Sequence, residues 1–142
     1  MPDAELVDRL QRLPAWITAI VVHPDAMGDL AAYLPLGRRL VIENMDTRKE
    51  LGQTADELAL FFELLPDARL CLDLAHAKAV DPTMRVGADL LSAFATRLSH
   101  VHLSSLDEGR SHVTLTAEDE ALFGALLARC SDVPWILEAP WT

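Results

Sequence analysis

Five short apolar runs alternate along this chain with stretches of helical period, and each run ends in or carries a residue able to bind a metal or move a proton. The runs are Trp16 to Val22, Arg39 to Ile42, Arg69 to Leu72, Ser99 to Leu103 and Pro134 to Leu137. Near-continuous apolar character, clearest in Ile17-Thr18-Ala19-Ile20-Val21-Val22, suits strands covered on both faces, as in parallel sheets. Helices are expected between them: Asp3 to Leu13, Asp25 to Leu34, Thr54 to Leu65, Arg85 to Arg97, and one opening at Thr116. Thr54-Ala55-Asp56-Glu57 and Thr116-Ala117-Glu118-Asp119 are N-terminal capping signatures. Leu58, Phe61, Phe62 and Leu65 mark one buried face, Leu90, Leu91 and Phe94 a second, and Leu122, Leu126 and Leu127 a third. The βαβαβ order predicts a parallel sheet with right-handed crossovers. An open doubly wound sheet and a piece of a barrel both satisfy that pattern. With 142 residues the chain is expected to form one domain, residues 1–142. A complete (β/α)₈ barrel takes about 250 residues and is excluded.

Charge narrows the partners. The 22 acidic residues against 12 Lys and Arg give a formal charge of -10, which disfavours a phosphate backbone as a partner unless one face is locally basic. No apolar run approaches the roughly 20 residues that span a bilayer. The start, Met1-Pro-Asp-Ala-Glu, lacks the basic segment of a signal peptide, and Cys71 and Cys130 form no disulfide framework, so a cytoplasmic setting is expected.

The strand ends carry the chemistry. In order they present His23, Glu43, Asp73, His102 and Glu138, with His76 three residues after Asp73 and His112 in the loop after the fourth strand. Loops at this edge of a parallel sheet converge on one mouth. Mixed carboxylates and imidazoles suit zinc, manganese or iron, and a dication relieves the mutual repulsion of three clustered carboxylates. Taken singly, an Asp or Glu after a strand is more often a cap or a solvated loop residue, and a His a hydrogen-bonded structural one. The weight rests on the set. His100 is expected to face away from His102 in a structural role, Cys71 to be a small core residue, and Glu118-Asp119-Glu120 to be a solvated helix start.

Val41-Ile42-Glu43-Asn44, Leu51-Gly52-Gln53-Thr54, Cys71-Leu72-Asp73-Leu74-Ala75-His76-Ala77, Val101-His102-Leu103-Ser104 and Ile136-Leu137-Glu138 together resemble the xylose isomerase-like TIM barrels. These include sugar and sugar-phosphate isomerases and epimerases and the type IV apurinic endonucleases. The resemblance runs from about Ala15 to Glu138 and implies a partial (β/α) TIM barrel, its five strands matching the last five of eight. It implies that Glu43, Asp73, His102 and Glu138 hold a divalent metal (Mn, Zn, Co or Mg), with Glu43 and Glu138 also the catalytic proton-exchanging pair. His76 matches a substrate contact or an additional metal ligand. His23 and His112 match further metal ligands of the endonucleases. Where the endonuclease pattern has an aspartate two residues before that last histidine, this chain has Arg110, which is expected to contact an anionic substrate group instead.

The expected function is therefore that of a divalent-metal-dependent sugar or sugar-phosphate isomerase or epimerase acting on a small carbohydrate. The alternatives are an apurinic endonuclease-like metallohydrolase, with Arg38, Arg39, Arg48 and Lys49 as its basic patch, and a non-catalytic half-barrel or binding subunit. For the epimerase, Glu43 and Glu138 must approach each other. Three strands apart in a flat sheet they would lie about 14 Å from one another, so the mechanism requires barrel-like curvature. A homo-oligomer or a barrel-completing partner chain is expected to cover the open edges.

Overall fold

The computed structural model describes residues 1–139; Pro140, Trp141 and Thr142, the last three of the expected 1–142 domain, lie outside the described residues. The chain runs α1 (Asp3–Gln11), β1 (Ile20–Val22), β2 (Leu40–Glu43), α2 (Ala55–Leu64), β3 (Arg69–Asp73), α3 (Leu74–Val80), α4 (Arg85–Phe94), β4 (Leu98–Leu103), β5 (Ser105–Leu106), β6 (His112–Val113), α5 (Ala117–Leu127) and β7 (Trp135–Leu137). Five strands form one all-parallel sheet in the order β1-β2-β3-β4-β7, curled into a half-barrel with the helices outside. The partial-barrel expectation holds.

Burial follows position in the sheet. Every residue of β2 is buried, as are four of the five in β3 and the last four of β4, because both faces are covered. The edge strands differ: β7 is exposed throughout and β1 is at best half-buried. Between the central strands and the helices lies the apolar core, with Leu58, Phe61, Phe62 and Leu65 of the α2 region against Leu90, Leu91 and Phe94 of α4. Phe62 and Phe94 pack with their rings tilted by 56° and centroids 4.7 Å apart, and the Arg97 guanidinium lies over the Phe62 ring at 4.5 Å. The inward face of α5 centres on Phe123 and Leu126, while Leu122 and Leu127 are only half-buried.

Three local expectations are corrected. The first strand is shorter than Trp16 to Val22, because the carbonyls of Ile17 and Thr18 accept hydrogen bonds from the side chains of Arg39 and Arg69 in place of a sheet neighbour, and Trp16 stands 79% exposed. The stretch after β1 is two 3₁₀ segments, Pro24–Ala26 and Leu30–Arg39, and not one helix. The break falls where the Asp3 carboxylate of α1 accepts from the backbone N–H groups of Gly28 and Asp29 at 2.9 and 2.6 Å. The helix α3 and the β5–β6 hairpin, both unexpected, follow β3 and β4 directly and form the wall of the mouth.

The loop after β2 is fixed by a glycine. Gly52 has φ +90°, and a Cβ there would lie 2.5 Å from Cγ of Pro24. A side chain is thus excluded both by the left-handed backbone and by contact. Its carbonyl accepts from Met45 N–H, closing the loop over the end of β2.

Candidate metal centre

Glu43 ends β2, Asp73 ends β3, His102 lies near the end of β4 and Glu138 follows β7, so parallel pairing brings all four to one rim. One ligand atom from each lies within 4.8 Å of the others. That closeness, against about 14 Å for a flat sheet, measures the curl. His102 sits at the centre: its Nδ1 is 2.9 Å from Glu43 Oε2, 3.1 Å from Glu138 Oε1 and 3.9 Å from Asp73 Oδ2. A second group, Asp73, His76 and His112, adjoins the first through the shared aspartate. His23, half-exposed after β1, donates from Nε2 to Glu43 Oε1 at 2.9 Å. The six sequence-identified residues other than Asp73 are thus gathered around it or around its neighbour Glu43.

The local sequence explains why these groups hold still. Asp73 is the N-cap of α3, its Oδ1 accepting from His76 N–H at 2.9 Å. That places His76 on the first turn of a helix that starts where β3 stops. Asn44, next to Glu43, clamps the backbone of Asp73 on both sides: its Nδ2 donates to the Asp73 carbonyl at 3.0 Å and its Oδ1 accepts from Asp73 N–H at 2.7 Å. The Asn44 carbonyl also lies 2.8 Å from His76 Nδ1. Ser104 Oγ holds His112 Nδ1 at 2.6 Å. Asn44 and Ser104 carried no assigned role in the sequence, although both stand beside the motif residues.

Electrostatics divide the two buried carboxylates. Burial opposes the charge on Glu43, but hydrogen bonds from His102 and His23 outweigh it and hold the carboxyl well below its ordinary range. Asp73 is pushed well above its range by burial and by the charge of Glu43 beside it. Burial works against protonation of His102, yet Glu43 raises it, and Glu43 likewise raises His23. His76 is lowered by burial.

Asp73 Oδ2 is buried with no hydrogen-bond partner among the described residues. An unsatisfied buried carboxylate oxygen is costly, and here it faces imidazoles and carboxylates with ligating atoms. A divalent cation fits that position and that donor set.

The remaining expectations divide. An open cleft of about 170 Å³ above the rim is lined by His23, Glu43, His76, His112 and Glu138, and by Arg48 and Lys49. Arg48 is paired with Asp46 at 2.8 Å and Lys49 with Asp25 at 2.8 Å. Arg38 and Arg39 lie at the opposite end of β2 and join no patch with them. Arg110 stands in the β5–β6 turn with φ +63° and lines a neighbouring pocket with Lys78 and Asp119, outside this cleft. His100 does not face away from His102: residues two apart on a strand share a face, and the two rings lie 5.0 Å apart. Asp119 is fully buried and ion-paired to Lys78 at 2.6 Å, where a solvated residue was expected.

Fold and rim together define a partial xylose isomerase-like TIM barrel with a carboxylate–imidazole cluster at the C-terminal ends of its strands. No protein-family model matches the chain, and no curated protein matches it. Among solved structures it is similar to endonuclease IV from Thermus thermophilus, with a TM-score of 0.71 and 26% sequence identity over 99% of this chain. The match covers 62% of that endonuclease's chain.

Proposed function

We propose that this chain is a divalent-metal-binding partial barrel, spanning residues 1–142, whose rim performs phosphoester hydrolysis of the apurinic-endonuclease kind. The carrying observation is that two ligand clusters share Asp73: Glu43, Asp73, His102 and Glu138 on one side, Asp73, His76 and His112 on the other. Adjoining clusters suit more than one ion on a single reacting group, the arrangement of two-metal phosphoester chemistry. The fold likeness to endonuclease IV supports the same reading.

Glu43, Asp73, His102 and Glu138 would hold the first ion, His76 and His112 with Asp73 a second, and His23 would add to the Glu43 side. The imidazole content favours Zn, Mn or Co over Mg. Metal bound there supplies Lewis-acid stabilisation of negative charge on a phosphoryl oxygen. The chain's own groups do the rest. Arg48 and Lys49 flank the cleft and offer cations to an anionic ester. Glu138, 33% exposed at its side chain, is the best placed of the three carboxylates to exchange a proton with a molecule in the cleft. Arg110 reaches only a substrate long enough to extend into the adjoining pocket.

A metal-dependent sugar isomerase or epimerase is the second reading. It is favoured by Glu43 and Glu138 meeting at one nitrogen of His102, as a carboxylate pair serving one small substrate requires, and by the charge of -10. One experiment separates the two. The purified chain, loaded with Zn²⁺ or Mn²⁺, is given an abasic-site duplex and, separately, a panel of sugar phosphates. Metal-dependent strand incision that is lost in Glu138→Gln supports the hydrolase. Isomer interconversion without incision overturns it in favour of the second reading, and neither activity leaves a metal-binding module.

A further inference from the structure

Beneath the rim, His102 is not free on its far side. Its Nε2 lies 3.2 Å from His100 Nε2, and His100 Nδ1 lies 2.9 Å from Ser99 Oγ. Both rings are buried, at 7% and 5% exposure. The three side chains thus form one unbranched line running inward from the rim, with Glu43 and Glu138 at its outer end.

The line depends on a backbone irregularity. Leu70 pairs with Leu98 but Cys71 with His100, so β4 holds one more residue than β3 at this point and Ser99 is the bulged one. On a regular strand, neighbouring side chains point to opposite faces. A bulge re-aims a side chain, and here it lets Ser99 Oγ reach the ring of the next residue.

We propose that His100 and Ser99 are positioning residues that supply the acceptor His102 Nε2–H needs when its Nδ1 ligates a metal, an inference that rests on the metal reading above. The carboxylates of Glu43 and Glu138 lie against Nδ1, so Nδ1 is the nitrogen that would ligate, and a ligating nitrogen must present a lone pair. The ring proton of neutral His102 is then on Nε2. Its partner at hydrogen-bond distance is His100 Nε2, which therefore accepts. His100 carries its own proton on Nδ1 and donates it to Ser99 Oγ. Each group in the line has one donor and one acceptor matched to its neighbour, and no buried nitrogen of the two rings is left over. Partners of this kind orient a ligating histidine and raise its basicity, and their loss typically weakens metal affinity about 10–100-fold. Without metal, Nδ1–H of His102 donates to Glu43, and for a neutral ring the whole line runs in the reverse sense. Metal loading then reverses both imidazole tautomers together.

The test uses the full chain and Zn²⁺, titrated against a chromophoric chelator, with folding followed by circular dichroism. His100→Phe keeps a ring of similar size but has no acceptor, and is expected to lose about 10–100-fold in Zn²⁺ affinity. His100→Gln retains an amide oxygen able to accept, and recovers part of that loss. Ser99→Ala gives a smaller loss. In the unsubstituted protein, imidazole ¹⁵N shifts report His100 protonated on Nδ1 and His102 on Nε2 once zinc is bound. Unchanged affinity in a folded His100→Phe protein overturns the relay while leaving the metal site standing. So does a zinc-loaded spectrum with the His100 proton on Nε2, which decides the question even if His100→Phe fails to fold. Absence of zinc binding by the unsubstituted chain overturns the metal reading and the relay with it.

Discussion

Asp73 concentrates the conflict at the rim. Its Oδ1 caps α3 while its Oδ2 is buried without a partner among the described residues, and Glu43 crowds it with like charge. A carboxyl whose folded pKa is raised destabilises the fold as pH climbs above its unfolded value near 4, since ionising it is harder in the native state. Asp73→Asn keeps the cap and removes the charge. Thermal melts in EDTA are expected to show it at least as stable as the unsubstituted chain at neutral pH. With saturating zinc the order reverses. Ligand at 100 times Kd stabilises by about 2.7 kcal/mol, and Asp73→Asn forfeits that increment. A large loss of stability in EDTA instead would mean that the charge itself holds the metal-free fold together. Gly52 gives a sharper packing test. Gly52→Ala meets Pro24 at 2.5 Å on a φ of +90° and is expected to destabilise by about 1–3 kcal/mol in urea melts.

At the scale of elements, α5 is tied to the rest by Asp119. This residue completes a capping box with Thr116 and pairs with Lys78 of α3, so one buried carboxylate joins two helices. Burial opposes its charge, but Lys78 and the Thr116 N–H outweigh that and hold its pKa at about 2. The sign follows directly: the contribution is complete above the unfolded value near 4 and is lost as pH falls from there towards 2. Asp119→Ala is expected to destabilise by about 2–4 kcal/mol at pH 7, from the lost cap and an orphaned Lys78. Asp119→Asn should flatten the stability-against-pH curve between pH 4 and 2, read by denaturant melts across that range. This element also shows where sequence reading stops. Thr116-x-x-Asp119 is legible as a cap because its partners are three residues apart, but Lys78 is 41 residues away and nothing local announces it. The central strands β2, β3 and β4 are legible because burial on both faces leaves an unbroken apolar run. The seven-residue α3 is too short to display a period, and the fraying of β1 is decided by two arginines from other segments. Similarly, Glu43, Asp73, His102 and Glu138 are legible from their place at strand ends, whereas Asn44 shows its clamp only once β2 and β3 are paired. His100 was within reach: a period of two puts it on the face of His102.

The whole molecule is a curl of five strands with two unlike margins. Trp135, Ile136 and Leu137 of β7 are 46%, 45% and 69% exposed, and Val21 of β1 is 37% exposed. Exposed apolar edge strands invite pairing with other chains. Leu137→Lys is expected to raise the concentration at which the protein scatters light without shifting its Tm, because that side chain buries little. A drop in Tm of several degrees would show that the edge is packed in solution. Among the described residues no helix is long and apolar enough to cross a membrane. The rim is built mainly from the best-buried strands, with His23 after β1 and Glu138 after β7 as the residues the two open edges contribute.

Metal stoichiometry distinguishes a loaded rim from an empty one. The chelator-stripped chain is titrated with Zn²⁺ and its bound metal counted by elemental analysis after desalting, beside Asp73→Asn. The shared-aspartate rim predicts at least one tightly held ion per chain, accompanied by a rise in Tm, and loss of both in Asp73→Asn. Metal-free protein after exposure to excess zinc, with a Tm that does not move, would contradict it.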